Sequence, residues 1–294
     1  MRRWRLALGI LVAVGIALAI FFLRPVSGPE RDLTLVADAA RGEYLIRLGG
    51  CVACHTDTAS EGEFLAGGQA LKTAFGEFVP PNITPHPDAG IGGWTLELFS
   101  AAMSDGEGPG LLHHYYPAFP YDNFTLMSDQ DIVDLYAGLM QVDPVAARAP
   151  DNRIIFPLSI RASLLGWKNL FFRPARFEPD PERSDTWNRG AYLVYGPAHC
   201  TACHTPRNLL GGPETGRALQ GGPGTPGGKV PAITRERLIA QDYDRITLAE
   251  ALKTGFTPGF DVLGGAMGEV VSESTSHWTD EDLDAVAAYL LDED

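Results

Sequence analysis

Two stretches of the chain place apolar residues with the period of an α-helix, and each stretch begins at a recognisable N-cap. The caps are Ser128 and Thr279, and an acidic residue (Asp131, Asp282) follows each cap after three positions. The apolar positions are Ile132, Leu135, Tyr136 and Leu139 after the first cap, and Leu283, Val286, Ala287 and Leu290 after the second. This spacing predicts two amphipathic helices with defined starts.

Each predicted helix closes one copy of an internal repeat. The matching segments are 41–45 with 189–193, 51–56 with 200–205 and, more weakly, 81–84 with 231–234. The second copy has one extra residue between the first two segments. We therefore expect two similar domains, at residues 38–148 and 184–294. Since no run of alternating strand residues is visible and glycine (33) and proline (22) are frequent, the expected fold class is all-α with long loops.

The segment between the two copies, residues 149–183, is rich in proline and aromatic residues. Its large aromatic side chains are Phe156, Trp167, Phe171, Phe172 and Phe177. A free linker is usually polar and well solvated. We therefore expect a packed connecting segment that fixes the relation between the two domains.

The N-terminus predicts a membrane segment. Three arginines among the first five residues precede an 18-residue run without charge, Leu6 to Leu23. As a helix this run would be about 27 Å long, close to the roughly 30 Å of a hydrocarbon core. We expect residues 1–24 to form an N-terminal membrane helix of the bacterial inner membrane, with a cytoplasmic N-terminus and the remaining chain in the periplasm. The alternative is a cleaved signal peptide, although the A-x-A site at 37–39 lies far beyond the apolar run.

The predicted exported part is strongly acidic. Four of the 23 basic residues precede position 25 and all 37 acidic residues follow it, so residues 25–294 carry a formal charge of −18. Such a surface argues against binding to nucleic acid or to anionic lipid. It is compatible with simple solubility and with docking to a basic patch on a partner protein.

The repeated cysteines predict two covalently attached haem c groups. Cys51 and Cys54 are three residues apart, so both thiols face one side of a helical turn, where they can form thioethers with two haem vinyl groups. His55 follows at once and can ligate the iron. The second copy supplies Cys200, Cys203 and His204. A zinc site would have to join pairs that are 146 residues apart, and a redox dithiol would need a βαβ context that the sequence lacks.

Methionine is the usual sixth ligand of such an iron in an electron carrier. After Cys203 the chain has only Met267, in a glycine-rich loop. In the first domain Met127 precedes a capped helix, whereas Met103 and Met140 fit the apolar faces of helices. We therefore predict Met127 and Met267 as axial ligands. The spare histidines are the competitors, with the pair at 113–114 first among them.

These residues resemble the cytochrome c subunits of bacterial membrane-bound dehydrogenases, the alcohol and gluconate dehydrogenase cytochrome subunits. The segments that carry the resemblance are 51–56, 81–85, 90–94, 116–121, 127–129, 166–167, 171–172, 187–193 and 203–208. The resemblance implies axial methionines in the regions of Met127 and Met267. Many relatives carry three haems and this chain has motifs for two. Phe119 and Trp278 stand where relatives often have further methionines.

The leading hypothesis is a di-haem cytochrome that moves electrons from a membrane-associated dehydrogenase to a quinone, an oxidase or a soluble cytochrome. No catalytic acid, base or nucleophile is needed, so we expect a non-catalytic subunit of an oxidoreductase complex. One alternative is a stand-alone di-haem redox enzyme, either peroxidase-like or thiosulfate-oxidising, which would need an open iron or a fifth cysteine. A haem-based sensor is the other alternative.

The first prediction concerns the haem stoichiometry and the ligand state of the two irons. The purified protein should contain two haems per chain, with low-spin spectra and the long-wavelength band of methionine-ligated ferric haem. Absorption spectra of the oxidised and reduced protein, together with a haem titration, check this expectation. Carbon monoxide binding at one haem would instead reveal an open iron and favour the enzyme alternative.

Overall fold

The computed structural model describes residues 2–110, 112–224 and 228–294, and these are mostly helical. Up to residue 148 the helices are α1 (Arg2–Leu23), α2 (Ala39–Leu48), α3 (Cys51–His55), α4 (Leu96–Asp105), α5 (Tyr121–Phe124) and α6 (Asp129–Leu139). The connecting segment holds α7 (Ser163–Phe171). The remaining helices are α8 (Asp185–Tyr195), α9 (Cys200–His204), α10 (Arg235–Ile239), α11 (Arg245–Thr254), α12 (Ala266–Glu273) and α13 (Asp280–Leu291).

Two small antiparallel sheets correct the all-α prediction. One has the order β1 (Leu71–Thr73), β2 (Gly76–Phe78), β3 (Arg153–Ile154), and the other pairs β4 (Gly222–Pro223) with β5 (Lys229–Val230). Strands of two or three residues are too short to show an alternating pattern, which is why the sequence did not reveal them. The β1–β2 turn is held by Thr73, whose hydroxyl donates to the carbonyl of Gly76 at 3.0 Å.

The prediction of an N-terminal membrane helix is wrong. None of the helices in the described part of the chain combines the length and the apolarity that crossing a membrane requires. The uncharged run of 18 residues is shorter than the roughly 20 residues of a typical span. The C-terminal end of α1 is instead tied to α7. Phe22 packs against Gly166, and the guanidinium Nε of Arg24 donates to the Asn169 side chain at 2.9 Å.

In each repeat the first and last helices cross at a glycine. A Cβ atom on Gly42 would lie 1.8 Å from the carbonyl oxygen of Asp134, and one on Gly190 would lie 1.9 Å from that of Ala285. Only glycine permits such a close approach of two helix backbones. The α2–α6 pair and the α8–α13 pair therefore form matching halves of the core.

The last helices begin where the sequence predicts. The Ser128 hydroxyl accepts the backbone N–H of Asp131 at 3.1 Å, and the Thr279 hydroxyl accepts that of Asp282 at 3.2 Å. The apolar positions of both helices lie in the core. The predictions of α6 and α13 are therefore confirmed.

Each acidic residue of these caps also pairs with an arginine of its own repeat. Arg41 binds Asp131 and Asp134, whereas Arg189 holds Asp282 in a two-pronged contact at 2.7 and 2.9 Å. Asp131 and Asp282 are almost fully buried. Buried carboxylates require such partners, because an unpaired buried charge is strongly destabilising.

A tyrosine from the opposite repeat completes the environment of each carboxylate. The hydroxyl of Tyr44 donates to Asp282 at 2.7 Å, and that of Tyr192 donates to Asp131. Each hydroxyl also accepts the backbone N–H of the cap residue in the opposite repeat, at 3.0 Å for Tyr192 and 3.2 Å for Tyr44. We call these the reciprocal Tyr–Asp contacts. They join the two repeats with the symmetry of the sequence duplication.

The connecting segment is packed, and Lys168 is its anchor. The side chain of Lys168 is fully buried. Its ammonium group donates to the carbonyls of Asp105 and Gly106, at 2.5 and 3.0 Å, and to His114 Nδ1 at 3.0 Å. Burial lowers the pKa of Lys168 to about 8. Nearby, the ring of Phe172 packs edge-on against Tyr121 at 5.1 Å.

Removal of either tyrosine hydroxyl should weaken the contact between the repeats. Tyr44→Phe and Tyr192→Phe each leave a buried carboxylate short of one donor, which should lower the free energy of unfolding by about 1–3 kcal/mol. Chemical denaturation of the haem-loaded protein measures this change. Tyr243→Phe is the control, since no side-chain hydrogen bond is found for Tyr243 in the described residues. A loss no larger than that of the control would contradict the role of these contacts.

Lys168 should make stability depend on pH. Its pKa is about 8 in the folded chain and near 10.5 in the unfolded chain, so between these values the unfolded state binds more protons. The free energy of unfolding should therefore rise with pH across this window, by up to about 3 kcal/mol relative to Lys168→Met. Denaturation curves below and above pH 8 test this, with the exposed Lys253→Met as control. Parallel curves for wild type and Lys168→Met would contradict it.

Candidate haem sites

Both cysteine pairs lie on single-turn helices, α3 and α9, with their thiols free. The second cysteine of each pair, Cys54 and Cys203, is exposed, whereas Cys51 and Cys200 are half-buried. Burial raises the pKa of both Cys51 and Cys200 to about 12. These thiols are therefore protonated at neutral pH, which disfavours a thiolate metal centre and leaves them available for thioether bonds.

The histidine of each motif is oriented by a proline carbonyl. His55 Nδ1 donates to the carbonyl of Pro81 at 2.6 Å, and His204 Nδ1 donates to that of Pro231 at 2.9 Å. This contact leaves Nε2 of each ring without a proton, which is the arrangement of an imidazole that ligates a metal. Burial lowers the pKa of both histidines and so favours the neutral, ligating form. The weak repeat at 81–84 and 231–234 is thereby explained.

The two predicted methionine ligands occupy different places in their repeats. Met267 lies in the first turn of α12 and is half-buried. Met127 is 2% exposed and immediately precedes the cap Ser128. The same place in the second repeat, before the cap Thr279, is held by Trp278, which is also buried in the core. Of these two methionines, Met127 is therefore packed in the core and Met267 is more accessible.

The other candidate ligands are accounted for by their contacts. Met103 is buried in the core and Met140 is half-buried at the end of α6, as predicted for packing residues. His114 Nδ1 accepts a hydrogen bond from Lys168, so its proton lies on Nε2, which cannot then bind iron. The ring of His113 packs against Tyr115.

The two motif helices lie close together across the repeat boundary. α3 packs against α12, the helix that carries Met267. On the other side, the Asn123 side chain donates at 2.6 Å to both the Thr201 hydroxyl, inside the second motif, and the carbonyl of Tyr195. The thiol of Cys203 contributes, after burial, to a raised pKa of about 11 for Cys54. Each motif is therefore positioned by residues of the other repeat.

The cysteines do not form a metal cluster. In the ranges that the structure describes, no group of three or more histidine, cysteine or acidic side chains is arranged to hold a metal ion. Two separate sites, each with two thiols and one oriented imidazole on a helical turn, fit two covalently bound haems.

Two contributions to these sites could not be predicted from the sequence. The weak repeat at 81–84 and 231–234 marked Pro81 and Pro231, but the sequence alone gave no chemical role for their carbonyl groups. Asn123 and His199 act across the repeat boundary, and that boundary is visible only in three dimensions.

The comparisons with known proteins all point to cytochromes c. Residues 189–293 match the Cytochrome c family. The chain is 42% identical over 285 residues to a diheme cytochrome c-type protein of Cereibacter sphaeroides, covering 95% of this chain and 94% of that protein. It is 40% identical to the fructose dehydrogenase cytochrome subunit of Gluconobacter japonicus, covering 85% of this chain and 51% of the relative. It is also 40% identical to the cytochrome c subunit of the quinone-dependent alcohol dehydrogenase of Gluconobacter oxydans, covering 85% of this chain and 53% of the relative.

The chain belongs to the di-haem c-type cytochromes. It carries two covalently bound haem c groups and transfers electrons, which confirms the cofactor and the function predicted from the motifs. It spans only about half the length of the two dehydrogenase cytochrome subunits. The resemblance to dehydrogenase cytochrome subunits is confirmed as well.

Proposed function

We propose that each haem is held by one motif helix. Cys51 and Cys54 form the thioether bonds of the first haem, and His55 Nε2 is its iron ligand. The second haem has the same arrangement with Cys200, Cys203 and His204. The observation that carries this proposal is the hydrogen bond from each histidine Nδ1 to a proline carbonyl, which directs Nε2 of both rings in the same way. A bound haem c supplies one-electron oxidation and reduction.

Met267 is the sixth ligand that we propose for the second iron. Thioether ligation raises the reduction potential of a haem. Met267 lies in the first turn of α12, directly after Gly264 and Gly265, whose surroundings are open because a Cβ atom on either would meet no atom within 4 Å. Met127 stays the predicted ligand of the first iron.

The proposed redox partners are inferred from the named relatives and from the negative charge of this chain. Relatives named as cytochrome subunits belong to fructose and alcohol dehydrogenases. We propose that this chain likewise accepts electrons from a dehydrogenase and passes them to a quinone, an oxidase or a soluble cytochrome, in the periplasm. The formal charge of −18 on residues 25–294 would steer it toward a basic docking surface.

Two matched substitutions test the methionines. Met267→Leu should abolish the methionine band of one haem and lower its potential, because the thioether ligand is lost. Met127→Leu should do the same for the other haem, because Met127 is the predicted ligand of the first iron, and should change the free energy of unfolding by less than about 1.5 kcal/mol. Redox titration followed by absorption spectroscopy measures the spectra and the potentials, and chemical denaturation measures the stability.

The two variants serve as controls for each other. An unchanged haem spectrum in Met127→Leu would overturn the ligand prediction and leave Met127 with a packing role alone. An unchanged spectrum in Met267→Leu would overturn the assignment of Met267.

A further inference from the structure

His199 lies at the junction of the two motif helices in an unusual backbone conformation. It is the residue before α9 and has a φ of 41°, in the left-handed region. The residue before α3 is Gly50, with a φ of 64°. Glycine adopts this conformation freely, whereas another residue incurs roughly 1–2 kcal/mol. His199 therefore carries a local strain that Gly50 does not, and such strain is found at functional positions.

The imidazole of His199 contacts the first motif directly. Its Nε2–H donates to the carbonyl of Gly49 at 3.2 Å. A Cβ atom on Gly50 would lie 3.5 Å from the same nitrogen, which is ordinary van der Waals contact. The ring of His199 therefore lies directly against the residue before α3.

The first repeat also holds the ring from another side. Phe124 packs edge-on against the imidazole with 5.4 Å between ring centroids. Phe124 in turn contacts Phe119 at 5.5 Å. His199 therefore has one rotamer that satisfies its hydrogen bond and its aromatic contact together. The extra residue of the second copy falls between Leu193 and Cys200, so it belongs to the turn that presents this side chain.

We infer that His199 is a positioning residue for electron exchange between the two haems. This inference rests on the proposed attachment of the haems at Cys51 and Cys200. The route between the two attachment cysteines has three parts. The backbone connects Cys51 through Gly50 to the carbonyl of Gly49, and that carbonyl accepts one hydrogen bond from His199. His199 is then joined to Cys200 by a peptide bond. This contact holds the two attachment segments at a fixed separation and provides a short bonded route between them.

The exchange itself requires no chemistry of the imidazole. One electron passes from the reduced cofactor to the oxidised one, no bond forms or breaks, and the proton stays on Nε2 of His199. The residue therefore acts through distance and bonding alone. Its removal should change the rate between the haems without changing the potential of either haem.

His199→Gly tests the inference, since glycine relieves the left-handed strain but removes the ring and the donor. Two measurements apply to the haem-loaded protein: the re-equilibration rate between haems after flash photoreduction, and the circular dichroism couplet that neighbouring haems produce in the Soret region. We expect a severalfold loss of rate and a smaller couplet, with haem content and both potentials unchanged. His199→Asn tolerates the left-handed region and keeps a shorter donor, so it should give an intermediate rate.

His277→Asn is the matched control, because the hydrogen bond of its ring, to the carbonyl of Ser272, stays within its own repeat. Phe124→Leu is a second route to the same effect, since it frees the imidazole without changing either motif. Wild-type rates and couplets in His199→Gly and Phe124→Leu would overturn the inference, as would an equal loss in His277→Asn. Failure of the attachment proposal would be recognised separately, as fewer than two haems in the wild-type protein.

Discussion

The reciprocal Tyr–Asp contacts are the interaction on which the arrangement of this molecule depends. Asp131 and Asp282 are buried at the starts of the last helices, where each needs an arginine from its own repeat and a tyrosine from the other. Neither repeat can satisfy its carboxylate fully without its neighbour. The docking of the repeats is thus determined by polar groups with strict geometry as well as by the hydrophobic core.

That docking brings the two haem motifs together. α3 packs against α12, and α9 is contacted by Asn123 of α5, so each motif is bounded partly by the opposite repeat. Within one motif, few residues are needed to form a haem attachment site. One helical turn presents two thiols, and one proline carbonyl orients the imidazole. The duplicated sequence therefore encodes two equivalent attachment sites, whereas the relation between them is encoded in contacts that differ from one site to the other.

Much of this could be predicted from the sequence where the signal is local. The capped helices at Ser128 and Thr279 and the CxxCH motifs depend on residues within one or two turns, so periodicity and spacing reveal them. The strands β1 to β5 are too short to show a period. The N-terminal run had the composition of a membrane span, yet no helix in the described residues combines the length and the apolarity of one. The residue type and spacing of Met127 predict a ligand, whereas its burial and its equivalence to Trp278 are visible only in the folded chain.

The glycine of each R-G-x-Y-L segment explains why arginine and tyrosine can serve different repeats. Because Gly42 and Gly190 let the first and last helices touch, the preceding arginine reaches the carboxylate beside it. The tyrosine two residues after the glycine points to the other repeat.

The same complementarity has a consequence for assembly. Each repeat displays a donor and an acceptor for its counterpart, so a repeat from another copy of the chain would satisfy them equally well. What keeps the pairing within one molecule is the connecting segment, anchored by the buried ammonium group of Lys168. Because the anchor fixes this segment to the first repeat, it restricts how far the second repeat can separate, which favours pairing within one molecule over domain swapping.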